Sequence, residues 1–240
     1  KKKHIVYYRR NDKGDAPKGY TEVLRYRYRT RGYYTVYTNK PKNRFVGSYI
    51  SLREKPKKYK IINREDIITP KSKINFLEVT TLTANHYRLM WVKKAEMTRV
   101  GHCYLIFCDK KLIGLVTLES GIKFSVSYVS IFSDPPAPTS RYKRLSKLIL
   151  YLICTKQFLK EFNDKSVWDH IGFTTSVKTN ALVSMKYRGL FKLHTREEEK
   201  EGNYKYKLIY QNKDKLCQTF KQALGEWCSK YSKETYNERD

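Results

Sequence analysis

Four arginines near the start of the chain alternate with apolar and aromatic residues, in the run Leu24-Arg-Tyr-Arg-Tyr-Arg-Thr-Arg31. Successive side chains of a strand point to opposite faces, so a strand here places all four arginines on one face. Guanidinium groups pair with phosphates, and tyrosines stack on bases. The predicted nucleic-acid contacts are Arg25, Arg27, Arg29, Arg31, Tyr33 and Tyr34. The alternative is a passive, solvated basic face.

A second basic group lies where a helix is predicted to begin. Ser140 and Arg141 precede this helix, with Lys143 and Arg144 beside them. The N-terminus of a helix has unpaired N–H groups and the positive end of the helix dipole. The sequence therefore predicts a site for a phosphate or carboxylate, with Ser140 as the helix N-cap.

The net positive charge of the chain indicates that its partner is a large anion. The 240 residues include 50 Lys and Arg against 23 Asp and Glu, which gives +27. Residues 1–60 hold 19 basic and 4 acidic residues, so they contribute +15 of that charge, together with ten of the 21 tyrosines. A polynucleotide is the natural partner of such a surface.

Composition and cysteine usage exclude several classes of protein. A hydrophobic content of 40% is sufficient for a buried core. No stretch approaches the ~18 apolar residues of a membrane span, and the first residues lack the apolar run of a secretory signal, so we expect no membrane contact and a cytosolic location. The five cysteines form no C-x-x-C pair. They are predicted to be reduced thiols, with no metal site.

The hydrophobic pattern predicts two regions, a basic Tyr- and Arg-rich β extension over 1–70 and an α/β core over 71–240. After a segment of mixed character up to about residue 97, strands are predicted over 101–108, 112–118 and 125–132. Irregular chain follows over 133–140 because it has three prolines. One long helix is predicted from Leu145 to Phe162.

The remainder of the core alternates strands with short helices. A strand over 172–177 precedes a short helix over 183–188, which Gly189 ends. Strands over 190–194 and 204–210 are predicted to pair, and the apolar spacing from Leu216 to Tyr231 predicts a C-terminal helix.

This order of elements resembles the GCN5-related N-acetyltransferase (GNAT) fold. The strand Lys111-Leu-Ile-Gly-Leu-Val-Thr117 matches its third-strand pattern. Three further segments, Asn85-His-Tyr87, Ser140-Arg141 before a helix and Tyr187-Arg-Gly-Leu-Phe191, are similar in order and spacing to the Mom family of phage DNA-modification proteins. The resemblance covers about residues 76–195.

The resemblance implies a mixed central sheet flanked by helices. It also implies an enzyme of a phage, acting in the bacterial cytoplasm, that adds a carbamoylmethyl- or acyl-type group to the N6 amine of adenine in DNA and so hides the DNA from restriction enzymes. The donor is unknown. The stretch 140–145 has no glycine, whereas acetyltransferases hold the pyrophosphate of coenzyme A in a Gly-rich loop. Asn180 or a neighbour replaces a strand-end Asp of the family.

Roles for individual residues follow from this resemblance. His86 is expected to transfer a proton, Tyr87 to stack on the target base, and Tyr187 to donate to a leaving group or polarise a carbonyl. Ser140, Arg141 and Asn180 are expected to bind the donor. Three of these residues have a structural alternative: His86 as a satisfied structural histidine, Tyr187 as a packed tyrosine with its hydroxyl bonded to the backbone, and Arg141 as an arginine that meets only phosphate.

Two other functions remain open. The first alternative is a non-catalytic phage nucleic-acid-binding protein on a GNAT-like scaffold. The second, which is less consistent with the net charge, is an acetyltransferase that acts on a protein or a small amine. A modified adenosine in DNA from expressing cells distinguishes the first interpretation from both.

We expect the simultaneous change of Arg25, Arg27, Arg29 and Arg31 to Ser to flatten the salt dependence of DNA binding. Each phosphate contact contributes about 0.9 to the slope of log K against log salt concentration. Titrations at several salt concentrations measure this slope, and an unchanged slope removes these arginines from the DNA interface.

Overall fold

The computed structural model describes residues 6–10, 18–27, 33–38, 57–92, 101–123, 126–166, 168–199, 203–212, 214 and 216–236. Two compact units are distinguished. The first comprises residues 1–47 and 161–169, and the second comprises residues 48–160 and 170–240. Within the described residues, no helix is both long and apolar enough to cross a membrane.

The first unit contains a three-stranded antiparallel sheet in the order β1-β3-β2. Its strands are β1 (Val6–Arg10), β2 (Thr21–Arg27) and β3 (Tyr33–Thr38). The predicted β-ribbon is present, because β2 pairs with β3 from Thr21 to Arg27. Tyr33 and Tyr34 lie in β3. The predicted contacts Arg29 and Arg31 lie outside the described residues.

The second unit is built on a seven-stranded sheet. Its elements, in chain order, are β4 (Ile74–Val79), α1 (Thr81–Trp91), β5 (His102–Cys108), β6 (Lys111–Lys123), β7 (Val126–Ser133), α2 (Leu145–Ile153), α3 (Lys156–Lys165), β8 (Phe173–Thr179), β9 (Lys192–Glu198), β10 (Tyr206–Asn212) and α4 (Phe220–Tyr231). The helix α3 extends into residues assigned to the first unit.

The sheet is mixed, with strand order β4-β5-β6-β7-β8-β10-β9. Every neighbouring pair is antiparallel except β7 and β8, which run parallel. A parallel pair needs a crossover connection, which α2 and α3 provide. This arrangement confirms the predicted fold class.

Helices cover both faces of the sheet. On one face, Tyr87 of α1 packs into a cluster with Leu105, Phe107, Leu112 and Leu115. The opposite face meets α2, since a Cβ at Gly114 of β6 would collide with the Ile149 side chain. Glycine at position 114 thus lets α2 approach the sheet closely.

The single long helix predicted from Leu145 to Phe162 is wrong. The chain forms α2 and α3 with a break at Cys154 and Thr155. Thr155 pairs with Cys217, and the next backbone N–H donates to the Cys217 carbonyl at 2.8 Å. The Thr155 hydroxyl accepts from the N–H of Phe158 at 3.0 Å and so caps the start of α3. A distant segment therefore interrupts a continuous amphipathic pattern.

The short helix predicted over 183–188 is also wrong, because residues 185–190 form turns. The N–H of Ser184 donates to the Tyr210 hydroxyl at 2.6 Å, and Arg196 binds the Leu182 carbonyl. These bonds to neighbouring strands take the place of helical ones. Gly189 has a φ of +87°, as expected of a residue that ends a turn.

The substitution Gly114→Ala should destabilise the core by roughly 1–3 kcal/mol, because Ile149 is fully buried and the Pro135 carbonyl lies 3.1 Å from the added Cβ. Gly225→Ala in α4 is the matched control. A Cβ at Gly225 meets nothing within 4 Å, so this change should stabilise the protein by about 0.5–1 kcal/mol.

Urea denaturation of both variants measures the difference. The further change Ile149→Val in Gly114→Ala should restore part of the loss, since it removes the colliding methyl group. Equal effects of the two glycine substitutions would contradict this account of the α2 contact.

Candidate active site at the end of strand β7

The parallel strands β7 and β8 separate beyond their third paired residue. Their pairing runs only from Val129 opposite Phe173 to Ile131 opposite Thr175, where the Thr175 hydroxyl donates to the Ile131 carbonyl at 3.0 Å. β8 then continues alongside β10. We call the opening beyond Ile131 and Thr175 the β7–β8 fork.

A β-bulge lies at the same point of β7. The pairing with β6 shifts between Thr117 opposite Ser133 and Leu118 opposite Ile131, so Phe132 is the extra residue. Bulges redirect side chains and end regular pairing. The segment after the bulge is held to β6, because the N–H of Leu115 donates to the Pro135 carbonyl at 3.2 Å and the N–H of Ala137 to that of Ile113 at 2.8 Å.

An ion pair between a buried carboxylate and a half-buried lysine joins the end of β7 to the β8–β9 connection. Lys186 Nζ lies 2.7 Å from Asp134 Oδ1, and the Asp134 residue is only 6% exposed. The other carboxylate oxygen, Oδ2, is buried and accepts no hydrogen bond from the residues that the structure describes. The site thus contains a buried acceptor whose hydrogen-bonding capacity the described residues do not meet.

The two charges perturb one another. Burial raises the pKa of the Asp134 carboxyl above its usual value, an effect that the nearby Lys186 ammonium opposes. Burial also disfavours the Lys186 ammonium, but the Asp134 charge, the neighbouring Tyr187 and the hydrogen bond to Asp134 together outweigh this and raise the lysine pKa. The lysine therefore stays charged, and the carboxylate is more basic than an ordinary aspartate.

Tyr187 lies beside this pair and is 4% exposed. Its ring packs on Tyr210 and Phe191, with centroids at 5.0 and 5.6 Å. Burial and the Asp134 charge raise the pKa of Tyr187, although its contact with the Thr175 hydroxyl opposes them. The Tyr187 hydroxyl is consequently protonated at neutral pH. Because the Thr175 hydroxyl donates its own proton to the Ile131 carbonyl, Tyr187 is the donor in that contact.

Arg88 of α1 reaches the bulge from the other side. Its Nε donates to Ser133 Oγ at 3.0 Å, and its guanidinium lies 5.1 Å from the centroid of the Phe132 ring. The first turn of α2 contributes Lys147, whose Nζ donates to the Arg188 carbonyl at 2.8 Å. Two helices therefore fix the position of the β7 end and of the connection that contains Lys186 and Tyr187.

Together these groups provide the elements of general acid–base chemistry. Asp134 offers an acceptor for a proton, Tyr187 offers a hydroxyl donor, and Lys186 and Arg88 provide positive charge beside the bulge. Sequence reasoning identified Tyr187 but missed the Asp134–Lys186 pair and Arg88. Of the residues that were missed, only Asp134 has a signal in the sequence, because it is an acid at the end of a predicted strand. Its distance along the chain from Lys186 matches no recognisable motif.

The two α1 residues predicted to be catalytic have different surroundings. The half-buried His86 ring lies against the edge of Tyr87, with centroids 5.2 Å apart. The Tyr87 hydroxyl accepts from the N–H of Tyr59 at 2.7 Å and donates to the Lys57 carbonyl at 3.1 Å. Tyr87 is buried in the core cluster and, in this conformation, has no free ring face for a base.

The predicted N-cap role of Ser140 is wrong, because α2 begins at Leu145 and its N-cap residue is Arg144. Ser140 is buried, and its hydroxyl accepts from the N–H of Tyr142 at 3.2 Å. The Arg141 carbonyl accepts from the N–H of Tyr236 at 2.8 Å.

The C-terminal segment bonds to the rest of this loop. Glu234 accepts from the N–H of Lys143 through its carbonyl and binds the Arg144 side chain through its carboxylate, each at 2.9 Å. The loop also has no glycine that would admit a close backbone approach. Its residues therefore do not fit the pyrophosphate of coenzyme A in this conformation.

Asn180 follows β8 at an exposed turn. Its Oδ1 accepts from the N–H of Lys205 at 2.9 Å, which links the end of β8 to the start of β10. Among the described residues, no hydrogen bond or ring contact joins His86, Arg141 and Tyr187. Of the residues predicted from sequence to act at the site, Tyr187 is the one that lies at the β7–β8 fork.

The five cysteines are buried and form no disulfide. Burial raises the pKa of the Cys108 thiol to about 12 and, together with Glu226, that of Cys217 to about 11. These thiols are protonated at neutral pH, so they are not nucleophiles. The described residues include no cluster of His, Cys, Asp and Glu able to hold a metal ion.

Comparison with known families identifies the core. Residues 71–232 match the model of the phage GNAT-like domain. This chain belongs to that family. The matched range includes the β7–β8 fork, Arg88, Asp134, Lys186 and Tyr187, whereas strands β1–β3 of this phage GNAT-like protein lie outside it.

Two solved structures resemble the phage GNAT-like protein at low similarity. Naa50 of Arabidopsis thaliana, solved with the bisubstrate analogue CoA-Ac-MVNAL, is 13% identical with a TM-score of 0.37, and the match covers 58% of this chain and 97% of that one. An acetyltransferase of the GNAT family from Streptococcus pneumoniae is 12% identical with a TM-score of 0.37, over 58% and 99% of the two chains. No curated protein matches.

Replacing Lys186 by Met should destabilise the protein by roughly 3 kcal/mol at neutral pH, because it leaves the buried Asp134 carboxylate without its partner. The raised pKa of Asp134 determines how the stability lost in Lys186→Met changes with pH. A raised folded-state pKa favours the protonated native form, so the variant loses stability as pH rises through that pKa and recovers it in acid.

Urea denaturation at pH 4.5 and pH 7.5 measures this difference. Lys178→Met is the control, because its pair with Glu199 is solvent-exposed on the lysine side. We expect the control to change stability by less than about 1 kcal/mol. A loss in Lys186→Met that is equal at both pH values would contradict the buried-carboxylate account.

Proposed function

We propose that this phage GNAT-like protein is a transferase that adds a small carbamoylmethyl- or acyl-type group to the N6 amine of adenine in DNA, as the resemblance to Mom proteins implies, and so protects DNA from restriction. The observation that supports transfer chemistry is the Asp134–Lys186 pair with Tyr187 beside it at the β7–β8 fork, next in the chain to Ser133, which binds Arg88.

An exocyclic amine needs help to react. The lone pair of adenine N6 is delocalised into the ring, so the enzyme must orient the amine and accept its proton. The Asp134 Oδ2 oxygen suits this task, because it is buried and lacks a hydrogen-bond donor among the described residues. Its raised pKa makes it a stronger base than a solvated aspartate.

The remaining groups suit the electrophile. As N6 forms its new bond to the donor carbon, the bond from that carbon to the leaving group breaks and the leaving group gains a negative charge. The protonated Tyr187 hydroxyl can supply a proton to it, while Lys186 and Arg88 stabilise the developing charge. The proton from N6 passes to Asp134, so protons and charge balance.

Charge supports DNA as the acceptor substrate. The net charge of +27 far exceeds what solubility requires, and residues 1–60 contribute more than half of it. Arg25, Arg27, Arg29 and Arg31, with Tyr33 and Tyr34, are the proposed contacts of this region to the phosphates and bases. The target base must leave the duplex stack to reach any buried carboxylate.

A second candidate is a non-catalytic nucleic-acid-binding protein. The observation in its favour is the contact of Glu234 with Lys143 and Arg144, since the loop that holds coenzyme A in acetyltransferases is here bonded to the protein's own C-terminal segment. The transferase predicts a modified nucleoside in DNA from expressing cells, whereas the non-catalytic protein predicts none.

Mass analysis of nucleosides from plasmid DNA of expressing bacteria should show an adenosine of increased mass, and this mass identifies the donated group. Tyr187→Phe should reduce the modified fraction by about 100-fold or more, because it removes the proposed proton donor. Tyr104→Phe, which changes another buried tyrosine on β5, is the matched control and should retain modification.

DNA affinity should be unchanged in both variants. His86→Ala tests the role implied by the family resemblance and should abolish modification if His86 transfers a proton. Unmodified nucleosides in cells that express the wild-type protein would favour the non-catalytic candidate. Full modification by the Tyr187→Phe variant would exclude Tyr187 as the proton donor.

A further inference from the structure

The connection between β8 and β9 exposes a group of apolar side chains next to the proposed site. Leu182, Val183 and Met185 are 56%, 49% and 55% exposed, respectively. The next two residues along the chain are Lys186 and Tyr187. We call residues 182–185 the apolar loop.

The apolar loop is held in place by hydrogen bonds. Arg196 Nε and Nη2 both donate to the Leu182 carbonyl, at 3.1 and 2.9 Å. The N–H of Ser184 donates to the Tyr210 hydroxyl at 2.6 Å. These bonds fix the backbone of the loop from two neighbouring strands, so the exposure of its side chains is a built-in property of the fold.

A second exposed apolar side chain lies close to the ion pair along the chain. Phe132, the extra residue of the β7 bulge, is 49% exposed and lies two residues before Asp134. Exposed apolar side chains therefore precede both members of the Asp134–Lys186 pair along the chain, Phe132 on β7 and Met185 in the apolar loop. Exposed apolar groups placed together around polar residues mark interaction sites.

The charge around this surface indicates what it contacts. Arg88 stacks on Phe132, and Arg188 is exposed next to Met185 with no acidic partner among the described residues. An apolar surface with cations at its edge complements a partner that has an apolar interior behind an anionic exterior. Duplex DNA has this character, with stacked bases behind its phosphates.

We propose that the apolar loop is a wedge that enters the base stack of duplex DNA and fills the space of the extruded adenine. Proteins that unstack or kink DNA insert Leu, Met, Ile or Phe side chains between base steps in this way. The proposal rests on the proposed function in taking DNA as the substrate. It assigns to Leu182 and Met185 a role in the substrate's conformation, separate from the transfer chemistry.

Fluorescence of 2-aminopurine tests this role, since its emission rises when it leaves the base stack. The probe is a pool of duplexes in which 2-aminopurine replaces single adenines in varied sequence contexts. Wild-type protein should raise the emission. Leu182→Ser combined with Met185→Ser should reduce that rise at least fivefold, with a DNA dissociation constant within threefold of wild type.

The matched control is Ile67→Ser combined with Ile171→Ser, which removes two exposed apolar side chains elsewhere, 66% and 44% exposed. It should leave the rise unchanged. An equal rise with the apolar-loop variant, or an equal loss with the control, would overturn the proposal. Sedimentation that shows a wild-type dimer and a monomeric apolar-loop variant with an unchanged emission rise would also overturn it, because the loop would then bind a second copy.

Nucleoside analysis of DNA from expressing cells separates this proposal from the proposed function. An emission rise that depends on the apolar loop, without a modified nucleoside, would support the wedge and contradict the transferase. Modified adenosine with an emission rise that is the same in the apolar-loop variant would support the transferase and overturn the wedge.

Discussion

The Asp134–Lys186 ion pair is the interaction on which the candidate site depends. It joins the end of β7 to the β8–β9 connection across the point where the parallel strands separate. A buried pair is costly to desolvate and contributes little net stability by comparison with apolar packing. Its effect here is positional, because it keeps Tyr187 and the apolar loop beside the β7 bulge and leaves one carboxylate oxygen without a donor among the described residues.

The backbone on both sides of the pair is restrained by the sheet and the helices. After Asp134, the proline-rich segment bonds to β6 through the carbonyls of Pro135 and Ile113. On the other side, Lys147 of α2 donates to the Arg188 carbonyl. The close approach of α2 to Gly114 thus affects more than core packing, because α2 also fixes one end of the connection that contains Lys186 and Tyr187. Preorganisation of this kind lets charged groups act without reorganising during a reaction.

The sequence predicted those parts of the fold that depend on local pattern. The β5–β6 hairpin was recognisable because two apolar runs flank a short polar turn, in which Asp109 and Lys110 both have positive φ. The break between α2 and α3 at Thr155 was not recognisable, because the amphipathic pattern continues through this position. The break results from the pairing of Thr155 with Cys217. Contacts between distant segments leave no periodic signal.

The candidate site was predictable only where a family resemblance existed. Tyr187 was found in this way, whereas Asp134 and Lys186 are 52 residues apart and meet through the topology of the sheet. The resemblance predicts that Tyr87 stacks on a base, because it gives the type and position of the residue but not its burial. The Tyr87 hydroxyl forms hydrogen bonds with the backbone of Tyr59 and Lys57. These partners lie in a segment that has no helical or strand pattern in the sequence.

The proposed reaction requires that an adenine of DNA reaches the β7–β8 fork. The most direct test is photocrosslinking with duplex DNA that contains 8-azidoadenine at scattered adenine positions, followed by mass mapping of the crosslinked peptides. We predict that crosslinks fall within residues 128–135 and 180–191, and that an excess of unlabelled DNA removes them. Crosslinks confined to residues 1–47 would show that DNA binds the protein without reaching the fork, and would contradict the account.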